Sequence, residues 1–393
     1  MSESALLREA RTLQPRLVDL RRRIHQEPEL GLENPATRRK ILDALSGLDL
    51  EIDLHARTSG IVATLRGARP GRRILLRGDT DALPMPEHTG LAFESRHADR
   101  MHACGHDAHV AMLIGAAHLL AARREALAGE VVFMFQPGEE GFGGAAVMLA
   151  EGMPDCDGAF ALHVAPQIPT GMIGTRPGAI FASFDDFEIE ILGRGGHASM
   201  PHDCIDPVPI ACEIVQALQT FVTRRIPVND PGVLTVSQIH AGTTQNVIAD
   251  SVQLAGTMRT LSEHTRDRLL AGLPRIAEGI AAAHDATARV ELQPGYPVVL
   301  NDAGFEAFAG GVARDLLGEQ AVLTLPTPIM GAEDFSYVLD RTPGAMMLLG
   351  VRPPGVTDPA PCHSSRMMLD EKAMAVGSAV HTAVATRFLE TTG

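Results

Sequence analysis

The spacing of apolar residues predicts that helices and strands alternate over the first 165 residues. Apolar positions that recur three and four residues apart predict helices at residues 4–26, 35–46 and 105–123. Short runs of mainly apolar residues predict buried strands at residues 73–76, 130–135 and 158–164. This alternation is typical of a parallel or mixed sheet that is covered by helices.

The pattern changes near residue 183, where apolar and polar residues begin to alternate with a period of two. Residues 187–193 (FEIEILG) alternate as expected for a half-exposed strand. The segments that follow predict the order helix, strand, strand, helix, strand, at residues 206–226, 233–242, 252–260, 264–284 and 288–293. With the first strand, this is the order of a ferredoxin-like sandwich. After Tyr296 the α/β pattern resumes, with a strand at 345–350 and a C-terminal helix near 369–390.

The two patterns together predict a two-domain α/β protein in which one domain is inserted into the other. A length of 393 residues is more than one typical domain contains. We expect residues 1–182 and 297–393 to form a discontinuous domain built on a mixed sheet. Residues 183–296 are expected to form the inserted ferredoxin-like α+β domain.

Composition and charge narrow the class of protein further. Apolar residues make up 45% of the chain, so it can form a large core, and a net charge of −14 argues against nucleic acid as a partner. No apolar run approaches the roughly 20 residues of a membrane helix, and the N-terminus lacks the residue order of a signal peptide. Five scattered cysteines without a Cys-x-x-Cys pair favour a reducing compartment. We therefore predict a cytoplasmic protein with no nucleic-acid or membrane partner.

The densest group of chemically active residues is MHACGHDAH, residues 101–109. It places His102, Cys104, His106, Asp107 and His109 at the start of a predicted helix. A thiolate and an imidazole at Cys-x-His spacing can reach one metal ion, and Asp107 could orient an imidazole. The alternative is a capping segment with incidental histidines and a buried structural cysteine. The cluster as a whole favours metal binding.

A second group, QPGEEGFGG (136–144), directly follows the predicted strand at 130–135. Open α/β sheets bind ligands at the carboxyl ends of their strands. Because consecutive residues point in different directions, one of Glu139 and Glu140 could bind a metal while the other serves as a proton-transfer base. The alternative is a solvated loop whose acidic residues stabilise a helix N-terminus.

Three more segments carry polar residues at or after predicted strands. They are GDTDALP (78–84) with Asp79 and Asp81, ALHV (161–164) with His163, and APCHSS (360–365) with His363. Taken alone, His163 is more typical of a hydrogen-bonded core histidine. Together the segments could converge on one sheet edge. A thiolate with several imidazoles and carboxylates exceeds the needs of one Zn²⁺ and suits two adjacent ions.

These segments resemble the M20 metallopeptidase family. MHACGHDAH, QPGEEG, LHV, GRGGHASMPH, QNVIAD and GAEDFS occur in the family's order, and the similarity extends from about Leu20 to the C-terminal helix. The most similar branch is that of the hippurate hydrolases, N-acyl-L-amino-acid amidohydrolases and auxin-conjugate hydrolases. The resemblance implies a dinuclear metal-dependent amidohydrolase that cleaves the amide bond of N-acyl-L-amino acids. It also implies that the inserted domain acts as a lid and carries the contact of a homodimer or a dimer of dimers.

Carried over residue by residue, the resemblance implies roles for individual side chains. The implied ligands of two divalent ions (Zn, Mn, Ni or Co) are Cys104, His106, Glu140, His163 and His363. Glu139 would be the general base that activates the attacking water and later protonates the leaving amine. His197 would cross a dimer interface to stabilise the oxyanion in the partner's site. Asn246 and Arg259 would hold the substrate's α-carboxylate, for which a planar guanidinium is well suited.

The chain departs from the family pattern at two places. Many M20 branches have a metal-binding histidine in a His-x-Asp motif after the first core strand, where this chain has Arg77-Gly78-Asp79. We expect that ligand position to be empty. The last ligand loop usually has leucine before its histidine, and here it has Cys362. We expect Cys362 not to bind metal, because adjacent residues rarely chelate the same ion.

Three other functions stay open from the sequence. A dipeptidase or exopeptidase of the same family would need to bind a free amino group, for which no acidic pocket is evident. A cysteine-nucleophile hydrolase based on Cys104 with His106 or His102 would leave the other implied ligands without a role. A non-catalytic relative would bind a ligand only, and the complete set of implied ligands argues against it.

Overall fold

A computed structural model describes residues 4–391 of the chain, and these form two compact units. Unit 1 comprises residues 4–180, 300–327 and 334–391, and unit 2 comprises residues 181–299 and 328–333. Unit 2 begins two residues before the predicted insertion (181 against 183), ends three residues after it (299 against 296) and also includes Pro328–Glu333.

The helices and strands are numbered in chain order. The helices are α1 (Ala5–His25), α2 (Pro35–Leu45), α3 (His106–Ala121), α4 (Gly144–Glu151), α5 (Pro207–Arg225), α6 (Glu263–Ala283), α7 (Ala303–Leu317), α8 (Ser336–Leu339) and α9 (Ala373–Glu390). The strands are β1 (Glu51–Leu54), β2 (Ile61–Arg66), β3 (Arg69–Asp79), β4 (Ala128–Gln136), β5 (Gly158–Pro169), β6 (Ile173–Thr175), β7 (Gly178–Phe181), β8 (Asp185–Leu192), β9 (Gly196–His197), β10 (Gly232–Ala241), β11 (Val247–Ile248), β12 (Ser251–Thr260), β13 (Thr287–Pro294), β14 (Val299–Asn301), β15 (Val322–Thr324) and β16 (Gly344–Arg352). Within residues 4–391, no helix combines the length and apolar composition needed to cross a bilayer.

Unit 1 is built on an eight-stranded mixed sheet in the order β1-β2-β4-β3-β5-β16-β6-β15. The four neighbouring strands β4, β3, β5 and β16 run parallel to one another, with Leu76 opposite both Phe133 and Phe160, and His163 opposite Leu348. These strands read as nearly continuous apolar runs because both faces of a parallel sheet are buried. Their carboxyl ends therefore meet at one edge of the sheet.

Two helices of unit 1, α1 and α3, position side chains at this edge. In α1 the N-cap side chain of Ser4 accepts a hydrogen bond from the Leu7 N–H, and the helix buries an apolar stripe together with two charged residues, Arg21 and His25. Helix α3 is buried almost all round and begins directly after Gly105, whose φ is +84°. A Cβ atom at Gly105 would lie 2.5 Å from the Val164 side chain, so this position requires glycine.

Unit 2 contains a four-stranded antiparallel sheet in the order β10-β12-β8-β13, with α5 and α6 as its helices. The alternation of apolar and polar residues in β8 correctly predicted a strand with one buried face. Phe187, Ile189 and Ile191 all lie in the core, whereas the residues between them do not. The strand order and the helix positions are those of a ferredoxin-like sandwich. The predicted fold class, a two-domain α/β protein with a ferredoxin-like insertion, is confirmed.

Candidate metal centre

The carboxyl edge of the unit 1 sheet gathers the residues that the sequence singled out. Strand β4 ends just before Glu139 and Glu140, β5 contains His163, and the loop after β16 carries His363. Cys104 and His106 reach the same edge from the start of α3. Parallel strands thus bring together residues that are far apart in the chain, at the place where α/β sheets bind ligands.

The five predicted ligands form two overlapping groups. Cys104, His106 and His163 have ligand atoms within 4.8 Å of one another, and so do Cys104, Glu140 and His363. The Cys104 Sγ lies 3.4 Å from His163 Nε2, and Glu140 Oε1 lies 3.2 Å from His363 Nε2. Because Cys104 belongs to both groups, its sulfur would be available to hold an ion in either one.

The donor atoms fit a divalent cation. His106 is fully buried, yet neither of its ring nitrogens has a hydrogen-bond partner among residues 4–391. His163 Nδ1 donates to the Val164 carbonyl at 2.7 Å, which leaves the Nε2 lone pair directed towards Cys104. Buried polar atoms without partners are costly, and a bound cation would satisfy them. His363 has a φ of +65°, a strained conformation that is common at functional sites.

The charges at the site also favour a cation. Burial alone lowers the pKa of His106, but the carboxylates of Asp79, Asp81 and Glu140 outweigh this and raise it to about 10. In the metal-free protein these carboxylates therefore retain a proton on His106. A metal ion would replace that proton and balance the same negative charge.

Asp79 and Asp81 lie outside the two overlapping groups, although Asp79 forms a further group of potential ligands with His106 and His109. Asp79 accepts a hydrogen bond from His109 Nδ1 at 2.6 Å, while His109 Nε2 accepts the Val164 N–H at 2.9 Å. Both ring nitrogens of His109 are therefore engaged, and burial lowers its pKa to about 4. Asp81 accepts the backbone N–H groups of Glu139 and Glu140, each at 3.0 Å, and so fixes the turn that carries both carboxylates. The sequence pointed to Asp81 but not to this role.

The Arg77 position is occupied by a buried cation. Arg77 is 2% exposed, donates to the Gln136 side chain at 2.8 Å and pairs with Asp79 and with Asp334, the latter at 3.1 Å. Gln136 Nε2 also donates to Asp334 Oδ1 at 2.7 Å, which closes the network. The expected empty ligand position is therefore filled by a guanidinium that is neutralised by two carboxylates. Asp334 belongs to the GAEDFS motif, which gave no hint of this pairing.

Asp107 does orient an imidazole, but it is that of His25 rather than that of a predicted ligand. Asp107 Oδ2 lies 2.8 Å from His25 Nδ1 and 2.8 Å from Arg21 Nε, both on α1. These contacts tie the start of α3 to α1. His102 is buried without a hydrogen bond to either ring nitrogen, and burial lowers its pKa to about 3. Among residues 4–391, His102 belongs to none of the potential ligand groups.

Cys362 lies beside the centre but outside its ligand groups. The interaction of its thiol with that of Cys104 lowers the pKa of Cys362 to about 6 and raises the pKa of Cys104. Within the described part of the chain, Cys362 joins no set of three potential ligands.

His197 and Asn246 lie together in unit 2. Strand β11 pairs with β9 so that Val247 lies opposite His197, and the Ala198 N–H donates to the Asn246 carbonyl at 3.1 Å. The exposed His197 ring accepts the Ser199 N–H at Nδ1, 3.1 Å away. The neutral ring therefore carries its proton on Nε2.

Arg259 lies at the other end of β12. Its guanidinium stacks on Phe184, 4.6 Å from the ring centre, and burial lowers the pKa of Arg259. The eight residue-to-residue steps from Ser251 to Arg259 span about 27 Å of extended strand. His197 and Asn246 lie near the Ser251 end of this strand, so within one chain most of the length of β12 separates them from Arg259.

Comparison with known proteins agrees with this site. Residues 75–387 match the profile of Peptidase family M20/M25/M40. The chain is 39% identical to the N-acetylcysteine deacetylase of Bacillus subtilis (strain 168), over 96% of this chain and 97% of that protein. It is 35% identical to thermostable carboxypeptidase 1 of Saccharolobus solfataricus, over 98% of each chain. A solved dinuclear metal-binding M20 peptidase of Bacillus subtilis superposes with a TM-score of 0.84 at 35% identity, over 97% of this chain and 100% of that one.

The resemblance seen in the sequence is therefore confirmed by the family profile, by curated relatives and by a solved structure. The ligand groups at the carboxyl edge of the sheet agree with the metal binding that this family shows. This chain belongs to the M20/M25/M40 peptidase family, and it is a metal-binding hydrolase that acts on amides.

Proposed function

We propose that the protein hydrolyses the amide bond of N-acyl-L-amino acids and that Cys104, His106, Glu140, His163 and His363 hold two divalent ions. The observation that carries this proposal is that Cys104 belongs to two ligand groups, beside a buried imidazole whose nitrogens lack hydrogen-bond partners and face carboxylates 3.4–3.9 Å away. When bound, the ions would supply Lewis acidity to the attacking water and to the amide carbonyl. N-acetylcysteine deacetylase and N-acetyldiaminopimelate deacetylase are relatives whose names describe such substrates.

Glu139 is the proposed general base. Its backbone is fixed by Asp81, its side chain is buried, and its Oε2 lies 3.9 Å from His106 Nε2. The carboxylate takes a proton from the attacking water and delivers it to the nitrogen of the departing amine. We expect Glu139→Gln to retain its metal and to lose about 10²- to 10⁴-fold in kcat. Glu140→Gln is the matched variant, and it should lose metal as well as activity.

His197 is proposed to stabilise the oxyanion, because its Nε2–H is available as a donor on an exposed ring. Asn246 and Arg259 are proposed to bind the substrate's α-carboxylate. Since one chain holds Arg259 far from His197 and Asn246, we propose a homodimer, or a dimer of dimers, in which His197 and Asn246 serve the partner's site.

Mixed oligomers test this arrangement. Glu139→Gln and His197→Ala should each be nearly inactive, and subunit exchange between them should restore up to about a quarter of wild-type activity. No recovery, with exchange verified by differently tagged subunits, would show that His197 acts within its own chain or not at all.

A carboxypeptidase or dipeptidase is the second candidate, since two thermostable carboxypeptidases are 35% identical to this chain. A panel of N-acetyl, N-benzoyl and indoleacetyl L-amino acids should be compared with unblocked dipeptides. Each assay should be run as purified, after chelation, and after addition of Mn²⁺, Zn²⁺, Ni²⁺ or Co²⁺. Activity on blocked amino acids that chelation abolishes and one ion restores would support the proposal. Turnover of dipeptides alone would favour the second candidate.

A further inference from the structure

We propose that Cys104 and Cys362 form a disulfide on oxidation and that this bond reversibly dismantles the metal centre. The proposal rests on the proposed function only in taking Cys104 as a ligand. It assigns a role to Cys362, a residue that the amidohydrolase chemistry leaves unused.

The backbone holds the two cysteines next to each other. The His363 N–H donates to the Ala103 carbonyl at 2.9 Å. The Cα of Cys104 and the Cα of Cys362 are each bonded directly to one of these two hydrogen-bonded peptide groups. Disulfides need Cα atoms about 4.4–6.8 Å apart, and this arrangement keeps the two within such reach.

The side chains lie close to each other. Each of the two thiols is the main influence on the pKa of the other, so the bond can form without a large movement of either loop. Cys104 is only 7% exposed, whereas Cys362 is half-buried and therefore more open to a small oxidant. Residue 363, which follows Cys362, has a strained positive φ, so this loop is held tightly in place.

The reaction balances with a hydroperoxide as the oxidant. The Cys362 sulfur attacks one peroxide oxygen, the O–O bond breaks, and a sulfenic acid and one water form. The Cys104 sulfur then attacks the Cys362 sulfur, the Sγ–Sγ bond forms, and the hydroxyl leaves as a second water. Two thiols thus lose two electrons and two protons, and hydrogen peroxide becomes two molecules of water.

Loss of the Cys104 sulfur affects both ligand groups at once, because each contains it. A disulfide sulfur carries no negative charge and is a poor metal ligand. We therefore expect the metal affinity of both ligand groups to fall together. Reduction by a dithiol would restore the thiols and the capacity to bind metal.

The other three cysteines serve as internal controls. Cys156 donates to the Pro154 carbonyl at 3.3 Å, and burial raises its pKa to about 12, which makes its thiol unreactive. Cys204 and Cys212 lie in unit 2, and Cys212 is exposed on α5. If solvent exposure of the thiol alone governed oxidation, Cys212 would be modified first.

The test treats the full-length, metal-loaded protein with a small excess of hydrogen peroxide and follows thiols and metal rather than turnover. We expect free thiols to fall from five to three. Non-reducing peptide mapping should show a Cys104–Cys362 link, and a chromogenic chelator should detect released metal. Dithiothreitol with added metal should restore the metal content. Release of metal while both cysteines remain thiols would overturn the proposal, and so would a linked protein that keeps its metal.

Variants separate the disulfide from general oxidation. Cys362→Ser should form no link, and dithiothreitol should not recover the metal that it loses to peroxide. Cys212→Ser should behave as the wild type. If Cys362→Ser recovers as fully as the wild type, Cys362 is not the partner. These readouts need no substrate, so a wrong substrate assignment would leave them unchanged.

Discussion

Replacing His25 with glutamine should destabilise the protein by an amount that depends on pH. His25 is 1% exposed, with Nδ1 2.8 Å from Asp107 Oδ2 and Nε2 3.0 Å from Glu87 Oε1. Both ionised partners can only accept hydrogen bonds, so the ring carries two protons and a positive charge. Burial alone would lower the pKa of His25, but the contacts with Asp107 and Glu87 raise it from 6.5 to about 9.

This shift sets the size and the pH range of the effect. At about 1.4 kcal/mol per pKa unit, it corresponds to about 3 kcal/mol of folding free energy. Because the folded-state pKa is raised, the contribution is fully present below pH 6.5 and is lost as the pH rises through 9. Glutamine can donate a hydrogen bond but carries no charge. The difference between wild type and His25→Gln should therefore be about 3 kcal/mol at pH 6 and should shrink steadily between pH 6.5 and 9.

Urea denaturation of the metal-loaded proteins from pH 6 to 9.5 measures this difference. The chain has no tryptophan, so far-ultraviolet circular dichroism is the suitable signal. His284→Gln is the matched control, because His284 is 46% exposed and pairs with Glu213 at the surface. The control should change stability by less than about 1 kcal/mol at every pH. A wild-type advantage over His25→Gln that stays constant from pH 6 to 9.5 would refute the reasoning.

Three further predictions follow from the same geometry. Arg77→Met should lower the free energy of unfolding by about 3–5 kcal/mol, because it leaves Asp334 and a second carboxylate buried without their cation; a loss below 1 kcal/mol in chemical denaturation would contradict this. Gly144→Ala should lower both Tm and metal content, because its Cβ would lie 1.6 Å from the Pro137 carbonyl oxygen. As a control, Gly279→Ala on α6 has open space around its Cβ and should leave both quantities unchanged or raise Tm slightly. Dialysis at pH 5 should release metal that is retained at pH 7.5, because imidazole ligands bind metal only when neutral; equal metal content at both pH values would argue against histidine ligands.

The sequence predicted the fold well because local patterns follow burial. The period-two alternation of β8 and the apolar runs of β4 and β5 reflect faces that are buried in the structure. Strand β3 is longer than predicted, because it begins at the exposed Arg69, which pairs with Ala128 of β4 ahead of a register shift, and continues to Asp79. The helices α4 and α7 were not predicted as separate elements.

The site was partly predictable for a different reason. Parallel strands must end at one edge, so residues placed after several strands could be expected to meet there. Pairings between distant positions could not be read in this way. Arg77 meets Asp334 across 257 positions, and His25 meets Asp107 across 82. The long separation of Asn246 from Arg259 also needed the strand register, which no motif records.

Arg77 and Cys104 together explain how the charges of this centre are arranged. A guanidinium cannot bind a metal ion, and at this position it is paired with Asp79 and Asp334 beside the proposed ligands. Asp79 accepts a hydrogen bond from Arg77 on one oxygen and from His109 on the other, so both of its oxygens are already engaged. The remaining negative charge among the proposed ligands belongs to Glu140 and, once it is deprotonated, to the sulfur of Cys104. A neutral imidazole in place of that sulfur would leave two divalent ions with a single anionic ligand. A thiolate that both ligand groups contain would instead supply negative charge to an ion in either group.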